Sequence, residues 1–230
     1  MSQNARKTTF DDLPDTLAVF PLGRALLLPR TQLPLNIFEP RYLAMIDDAL
    51  AGNRLIGMIQ PKEADTPGQK DDSSYEADSP ELYSVGCVGR ITAFSETDDG
   101  RVLASLTGIC RFEIVEEIKT DTPYRQCRMS FEQFAHDLKE DHGADVVDRD
   151  SLLAVLKKWL TRHEMQADWQ AINQSSNEQL VNSLSAICPY GAREKQALLE
   201  TESLEKRNQV LIALTEMALA QNDDQETRLQ

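Results

Sequence analysis

The chain has 230 residues and a formal net charge of −14, with 41% apolar, 27% charged and only 6% aromatic side chains. A length of this order removes roughly 70% of the unfolded surface from water, so one large domain or two small ones can fold without disulfide or metal staples. The charge disfavours DNA, RNA and anionic membranes as partners unless a basic patch is segregated, and the adjacent pairs Arg6–Lys7 and Lys157–Lys158 read as solvated faces.

The start, MSQNARKTTFDDL, has no apolar h-region, and no segment approaches eighteen uninterrupted apolar residues. Residues 1–16 are expected to be a flexible N-terminus, and the chain is expected in the cytoplasm. Strand signals follow from 17 to 135. They include LAVFPL (17–22), QLPLNIF (32–38), LIGMIQ (55–60) and the long LYSVGCVGRITAFSET, then RVLASLTGICRFEIVEEI and YRQCRMSF. TDDGR (97–101) reads as a hairpin turn in which Gly100 supplies a positive φ. One helix interrupts the strands. Pro40 suits its first position, Tyr42, Leu43, Ile46, Ala49 and Leu50 form its apolar stripe, and Gly52 stops it.

Residues 61–81 hold seven acidic and two basic side chains with three prolines, the composition of a surface loop inserted into a hairpin. A second polar stretch closes the β region, and 136–150 reads as a linker. From 151 to 220 the apolar period changes from near 2 to near 3.6, which marks a helical unit. Leu152, Val155, Leu156, Trp159 and Leu160 form one stripe. Ser176 with Gln179 makes a capping box ahead of Leu180, Val181, Leu184, Ile187 and Cys188. Pro189 and Gly191 break that helix, a short one follows from about Ala192 to Glu200, and a longer one opens near Ser203. Residues 221–230 are a polar tail expected to fray.

Patterns that carry chemistry do not emerge. None of the ten glycines is followed by lysine, so no P-loop is present in this sequence. HEMQA offers His163 and Glu164, but Ala167 stands where a zincin needs its second histidine, and there is no GxSxG elbow. Cys87, Cys110, Cys127 and Cys188 are too dispersed for CxxC and read as free thiols. No catalytic residue, metal site or cofactor is expected.

Several segments together resemble the amino-terminal substrate-binding domain of the Lon family of ATP-dependent proteases. They are VFPL (Val19–Leu22), a second apolar strand ending at Pro29, LPLNIFEPRY (Leu33–Tyr42) and YSVGCVGRI (Tyr83–Ile91). LTGICRFEIVEE (Leu106–Glu117) and PYGAREKQALLETESLEKR (Pro189–Arg207) complete the set. The resemblance implies an α+β fold: a twisted, partly closed PUA-like sheet or pseudo-barrel carrying one helix, followed by a helical bundle. It implies a stand-alone recognition module, without the ATPase and peptidase parts, that captures unfolded or partly exposed polypeptide as an adaptor or holding factor. A separate ATP-dependent protease or chaperone is then a partner.

Phe20, Leu35, Phe38, Arg41, Tyr42, Met45 and Met58 are the candidate polypeptide-binding residues. Core filling competes with that reading for Met45 and Met58, and the helical stripe draws Tyr42 inward. The alternatives are a cryptic ATP-independent hydrolase or peptidase, and an RNA-binding PUA-like protein, against which the acidic balance argues.

Overall fold

The computed structural model describes residues 8–62 and 80–228, with side chains as far as 220. Most of the acidic insertion expected at 61–81 lies outside the described residues. Its two ends are joined: Pro61 bridges Leu82, the Lys62 amide donates to the Glu81 carbonyl over 2.7 Å, and the two side chains form an ion pair.

The β region is a mixed six-stranded sheet. Its strands are β1 (Thr16–Pro21), β2 (Gln32–Ile37), β3 (Leu55–Ile59), β4 (Val85–Glu96), β5 (Val102–Ile118) and β6 (Gln126–Ser130), in the order β2-β5-β4-β3-β1-β6. β1 and β3 run parallel with Val19 opposite Gly57, and the remaining pairs are antiparallel. β3 is a continuous apolar run because every one of its residues is buried. The 17-residue β5 pairs with β4 on one side, and on the other its first third pairs with β2 and its last third with β6. The pairing with β6 curls the sheet back on itself. Irregularities at Val88/Gly89, Ile91/Ala93 and Ile114/Glu116 supply the bends, as bulges do.

Helix α1 (Pro40–Ala51) has proline in its first turn and Gly52 as its C-cap, as expected. Its buried face is Tyr42, Met45 and Ile46, so Met45 occupies the centre of the stripe while Leu43 and Leu50 lie at its half-buried margins. The apolar segment ending at Pro29, expected as a strand, is a turn instead. The Thr31 hydroxyl accepts from the Leu28 amide over 3.0 Å and donates to the Leu28 carbonyl over 2.8 Å. Arg30 takes φ of 65°, which no strand residue adopts. Leu26, Leu27 and Leu28 are nonetheless buried, so hydrophobicity located the core there but not the backbone shape.

The second half is helical: α2 (Arg149–Arg162), α3 (Trp169–Gln174), α4 (Asn177–Ile187), α5 (Ala192–Glu200) and α6 (Leu204–Arg228). The Ser176–Gln179 capping box is present at α4, and Asp148 caps α2 through the Ser151 amide. The sequence reading did not include α3, which Asp168 caps in the same manner. The backbone of α6 stays helical through eight residues of the expected polar tail, 221–228.

Helices and sheet meet across a polar seam. A 3-10 helix, Glu132–Leu138, carries Asp137 inward to Arg111 of β5. Arg111 Nε and Nη2 donate to the two Asp137 carboxylate oxygens over 2.8 and 2.9 Å, and the Arg111 amide adds a third bond over 3.0 Å. Nη1 donates to the carbonyls of Leu199 and Thr201 at the end of α5. Beside this pair, Arg30 bonds Glu178 of α4 in a fork, and Gln60 Nε2 donates to the Ala192 carbonyl and to Gln196 Oε1 of α5. Part of the stretch expected as a linker, 136–150, thus contributes a buried carboxylate to the seam.

The seam predicts a two-stage loss of stability in acid. His136 Nε2 lies 3.1 Å from Arg111 Nη2, which has only hydrogens to offer, so the ring is neutral and accepts there. Burial, and the positive charge of Arg111, hold the His136 pKa below its ordinary value despite the pull of Asp137. Burial would raise the Asp137 pKa, but the hydrogen bonds and charge of Arg111 outweigh it and leave it lowered. A histidine with a lowered folded pKa contributes stability that is complete above its unfolded pKa of about 6.5 and declines as pH falls below it. The carboxylate's contribution is complete above about 3.9 and declines as pH falls through its lower folded value. Urea unfolding followed from pH 7.5 to 3 is expected to show both declines, with the upper one absent in His136→Gln.

Candidate polypeptide-binding surface

The end of the sheet that carries the β4–β5 hairpin projects beyond the core. Its turn closes with the Thr97 amide donating to the Arg101 carbonyl and the Gly100 amide to the Thr97 carbonyl, both over 2.9 Å. Gly100 has φ of 79°, the left-handed conformation that the turn requires. β3 runs beside β4 only as far as Arg90, with one further bond from the Ile91 amide to the Arg54 carbonyl. From Thr92 to Glu96, β4 has β5 on one side and no strand on the other among the described residues, and all these residues are exposed.

Register aligns three strands at this end. Ile37, Val102 and Glu96 form one row, and Leu35, Ala104 and Phe94 another on the same face. Asn36, Leu103 and Ser95 stand on the opposite face. Phe94 and Leu103 are each 47% exposed, and Phe38, directly after β2, is 54% exposed. Large apolar side chains this open at one end of a sheet are a reason to look for a partner.

The charges here are partly neutralised. Arg41 bonds Glu39 over 2.7 Å and lies 4.6 Å from the centre of the Tyr42 ring. Arg101 bonds Asp99 over 2.7 Å. The Thr97 hydroxyl bond, with Arg101 beside it, holds the Asp99 carboxyl below its ordinary pKa. An open hollow of about 270 Å³ lies among Asn36, Asp98, Arg101 and Leu103.

Of the residues expected to bind polypeptide, Phe38, directly after β2, and Arg41, over the Tyr42 ring, are at the surface. Phe20, Leu35, Tyr42, Met45 and Met58 are buried. Phe20 and Tyr42 pack with ring centroids 4.3 Å apart, which fixes the start of α1 against β1. Phe20 and Met58 lie in register with Cys87 near the start of β4, away from the hairpin, while Leu35 shares a row with Ala104 and Phe94. Phe94 and Leu103 escaped the sequence reading. The available signal was an aromatic flanked by small and polar residues, AFSET, immediately before a hairpin turn.

Groups for covalent or metal chemistry are not assembled among the described residues. No cluster of three or more His, Cys, Asp or Glu side chains is placed to hold a metal ion. All four cysteines are free and buried, and burial pushes the thiols of Cys110 and Cys127 up to about 12 and about 11. Such thiols stay protonated and unreactive near neutral pH. No helix among the described residues is long and apolar enough to cross a membrane.

Comparison with known proteins points to one family. The family described as the ATP-dependent protease La (LON) substrate-binding domain matches residues 16–216. The Lon protease of Flavobacterium johnsoniae is 27% identical over 202 residues, which is 86% of this chain and 23% of that protein. The Lon protease of Desulfosudis oleivorans is 32% identical over 133 residues, 58% of this chain and 15% of that one. The chain therefore spans about a quarter or less of the length of these curated relatives.

Solved structures agree on the fold. The N-terminal domain of the Mycobacterium avium complex Lon protease superposes with a TM-score of 0.62 at 18% identity, covering 87% of this chain and 98% of that one. A Lon N-terminal domain protein from Xanthomonas campestris gives 0.59 at 20% identity, covering 86% and 97%. With a family match running from β1 into α6 and this architecture behind it, the chain belongs to the Lon substrate-binding domain family.

Proposed function

We propose that this chain is a non-catalytic module that holds unfolded or partly exposed polypeptide, acting as an adaptor or holding factor in cytoplasmic protein quality control. The observation that carries this reading is the exposure of Phe94 on one face of the open end of the sheet, with Leu103 exposed on the opposite face and Phe38 directly after β2, in a member of a substrate-binding family. Arg41, paired with Glu39, is the other exposed candidate on this segment. The module contributes recognition, and a separate ATP-dependent protease or chaperone receives what it holds. A net charge of −14 favours polypeptide over nucleic acid as the bound chain.

Each apolar contact of this kind contributes about 1–2 kcal/mol, so affinity is expected to be weak and tolerant of sequence. Fluorescence anisotropy with unfolded and native forms of one test protein measures it. The unfolded form is expected to bind, and Phe38→Ser with Phe94→Ser together are expected to weaken binding at least about tenfold, the equivalent of about 1.4 kcal/mol. Equal absence of binding for both forms up to high micromolar concentration rejects the reading.

A further inference from the structure

Two open strand edges flank β5 at the hairpin end of the sheet, one on β2 and one on β4, and they differ. On β2, the bonds from the Arg30 amide to the Gly108 carbonyl and from the Gly108 amide to the Thr31 carbonyl set the alternation along β5. Continuing it makes Leu33, Leu35 and Ile37 the residues bonded to β5, and turns the backbone of Gln32, Pro34 and Asn36 outward. Proline has no amide hydrogen, so the middle of that edge is blocked. On β4, the Thr97–Arg101 closing bond sets the alternation. Ser95 and Ala93 bond β5, and the amide and carbonyl groups of Phe94 and Glu96 point away from it, with no partner among the described residues and no proline among them.

We infer that an extended client segment adds to β4 as a further strand at Phe94–Glu96, and that the site selects an apolar residue two positions from a lysine or arginine. The inference rests on the polypeptide-binding reading and specifies its geometry. Phe94 and Glu96 are two apart, so their side chains share one face, and the client residues opposite them share it too. An apolar client side chain covers Phe94. The residue opposite Glu96 meets a carboxylate for which, among the described residues, there is no ion pair; Asp98 in the turn likewise has none, while Arg101 and Arg41 are engaged by Asp99 and Glu39. Strand addition supplies main-chain bonds that are indifferent to sequence, and the Phe94–Glu96 face supplies the selectivity.

The test uses the whole chain and capped, fluorescein-tagged octapeptides of threonine carrying one Leu-Thr-Lys or one Leu-Thr-Glu. The lysine peptide is expected to bind about threefold more tightly at low salt, a preference that Glu96→Gln with Asp98→Asn removes. N-methylation of alternate peptide amides is expected to weaken binding about tenfold or more in one parity and less than twofold in the other, because only every second amide faces the protein. Hydrogen exchange at the Phe94 and Glu96 amides is expected to slow on binding.

Phe94→Ser is an exposed change that circular dichroism can verify as folded, and it is expected to weaken the lysine peptide about tenfold. Binding that ignores methylation parity, or survives Phe94→Ser unchanged, overturns strand addition and leaves the polypeptide-binding reading in place. Failure of both peptides while unfolded protein is still held has the same meaning. Failure of unfolded protein as well removes both.

Discussion

Arg111→Ala is expected to destabilise the fold by about 3–5 kcal/mol, a large share of the about 5–15 kcal/mol that a domain has. The reason is what remains behind. Arg111 and Asp137 are both buried, and the guanidinium is the group that lets the carboxylate stay ionised there. Alanine leaves a charge in a low-dielectric interior and strips the Leu199 and Thr201 carbonyls of their donor. It also removes the stack of the guanidinium on Phe134, whose ring centre is 4.4 Å away. Asp137→Ala is expected to cost a similar amount, since Arg111 is then the unpaired ion. Replacing both, as Arg111→Met with Asp137→Leu, is expected to cost less than either single change because no buried charge is left over. Urea midpoints of the four proteins form a double-mutant cycle. A single variant within 0.5 kcal/mol of the parent, or a double variant as costly as the sum of the singles, removes the basis for treating this pair as the main fastening of helices to sheet.

That seam shows where sequence reading succeeds and where it stops. Period and punctuation located the elements: Pro40 and Gly52 bound α1, Ser176 and Gln179 start α4, and Gly100 turns the hairpin, because each acts through its own backbone or a neighbour three residues away. The seam is built from partners far apart in the chain. Arg111 lies 26 residues from Asp137, and Arg30 lies 148 from Glu178. Nothing local distinguishes a charge that will be buried from one that will be solvated, so 136–150, with six acidic residues, reads as a linker although one of them, Asp137, anchors the fold.

Exposure at the candidate surface was legible only in part. Within LPLNIFEPRY, Phe38 and Arg41 are at the surface, while Leu35 and Tyr42 are buried. Which apolar residues at that surface face outward depends on where β3 stops pairing with β4. That boundary is set by chain geometry at Arg54, a residue with φ of 62°, and has no signature in hydrophobicity.

Gly108→Ala is expected to cost about 3 kcal/mol or more, enough to deplete the folded protein in cells. A Cβ on Gly108 would lie 2.0 Å from the Leu28 carbonyl oxygen and 2.7 Å from its carbon. Both atoms belong to a backbone turn that has no slack: Thr31 holds Leu28 by its side chain and its amide, and Gly108 itself exchanges bonds with Arg30 and Thr31. Relief requires moving that turn off β5, which breaks the two bonds to Gly108 and opens the packing of the buried leucines 26–28. Gly143→Ala provides the contrast. Gly143 has φ of 69° but open space around it, so the cost there is conformational only, about 1 kcal/mol. Urea unfolding of the two variants separates close approach from backbone strain. Gly108→Ala is expected to lose the larger amount, and the opposite order would mean that the Leu28 turn yields freely and does not fix the β2 edge in place.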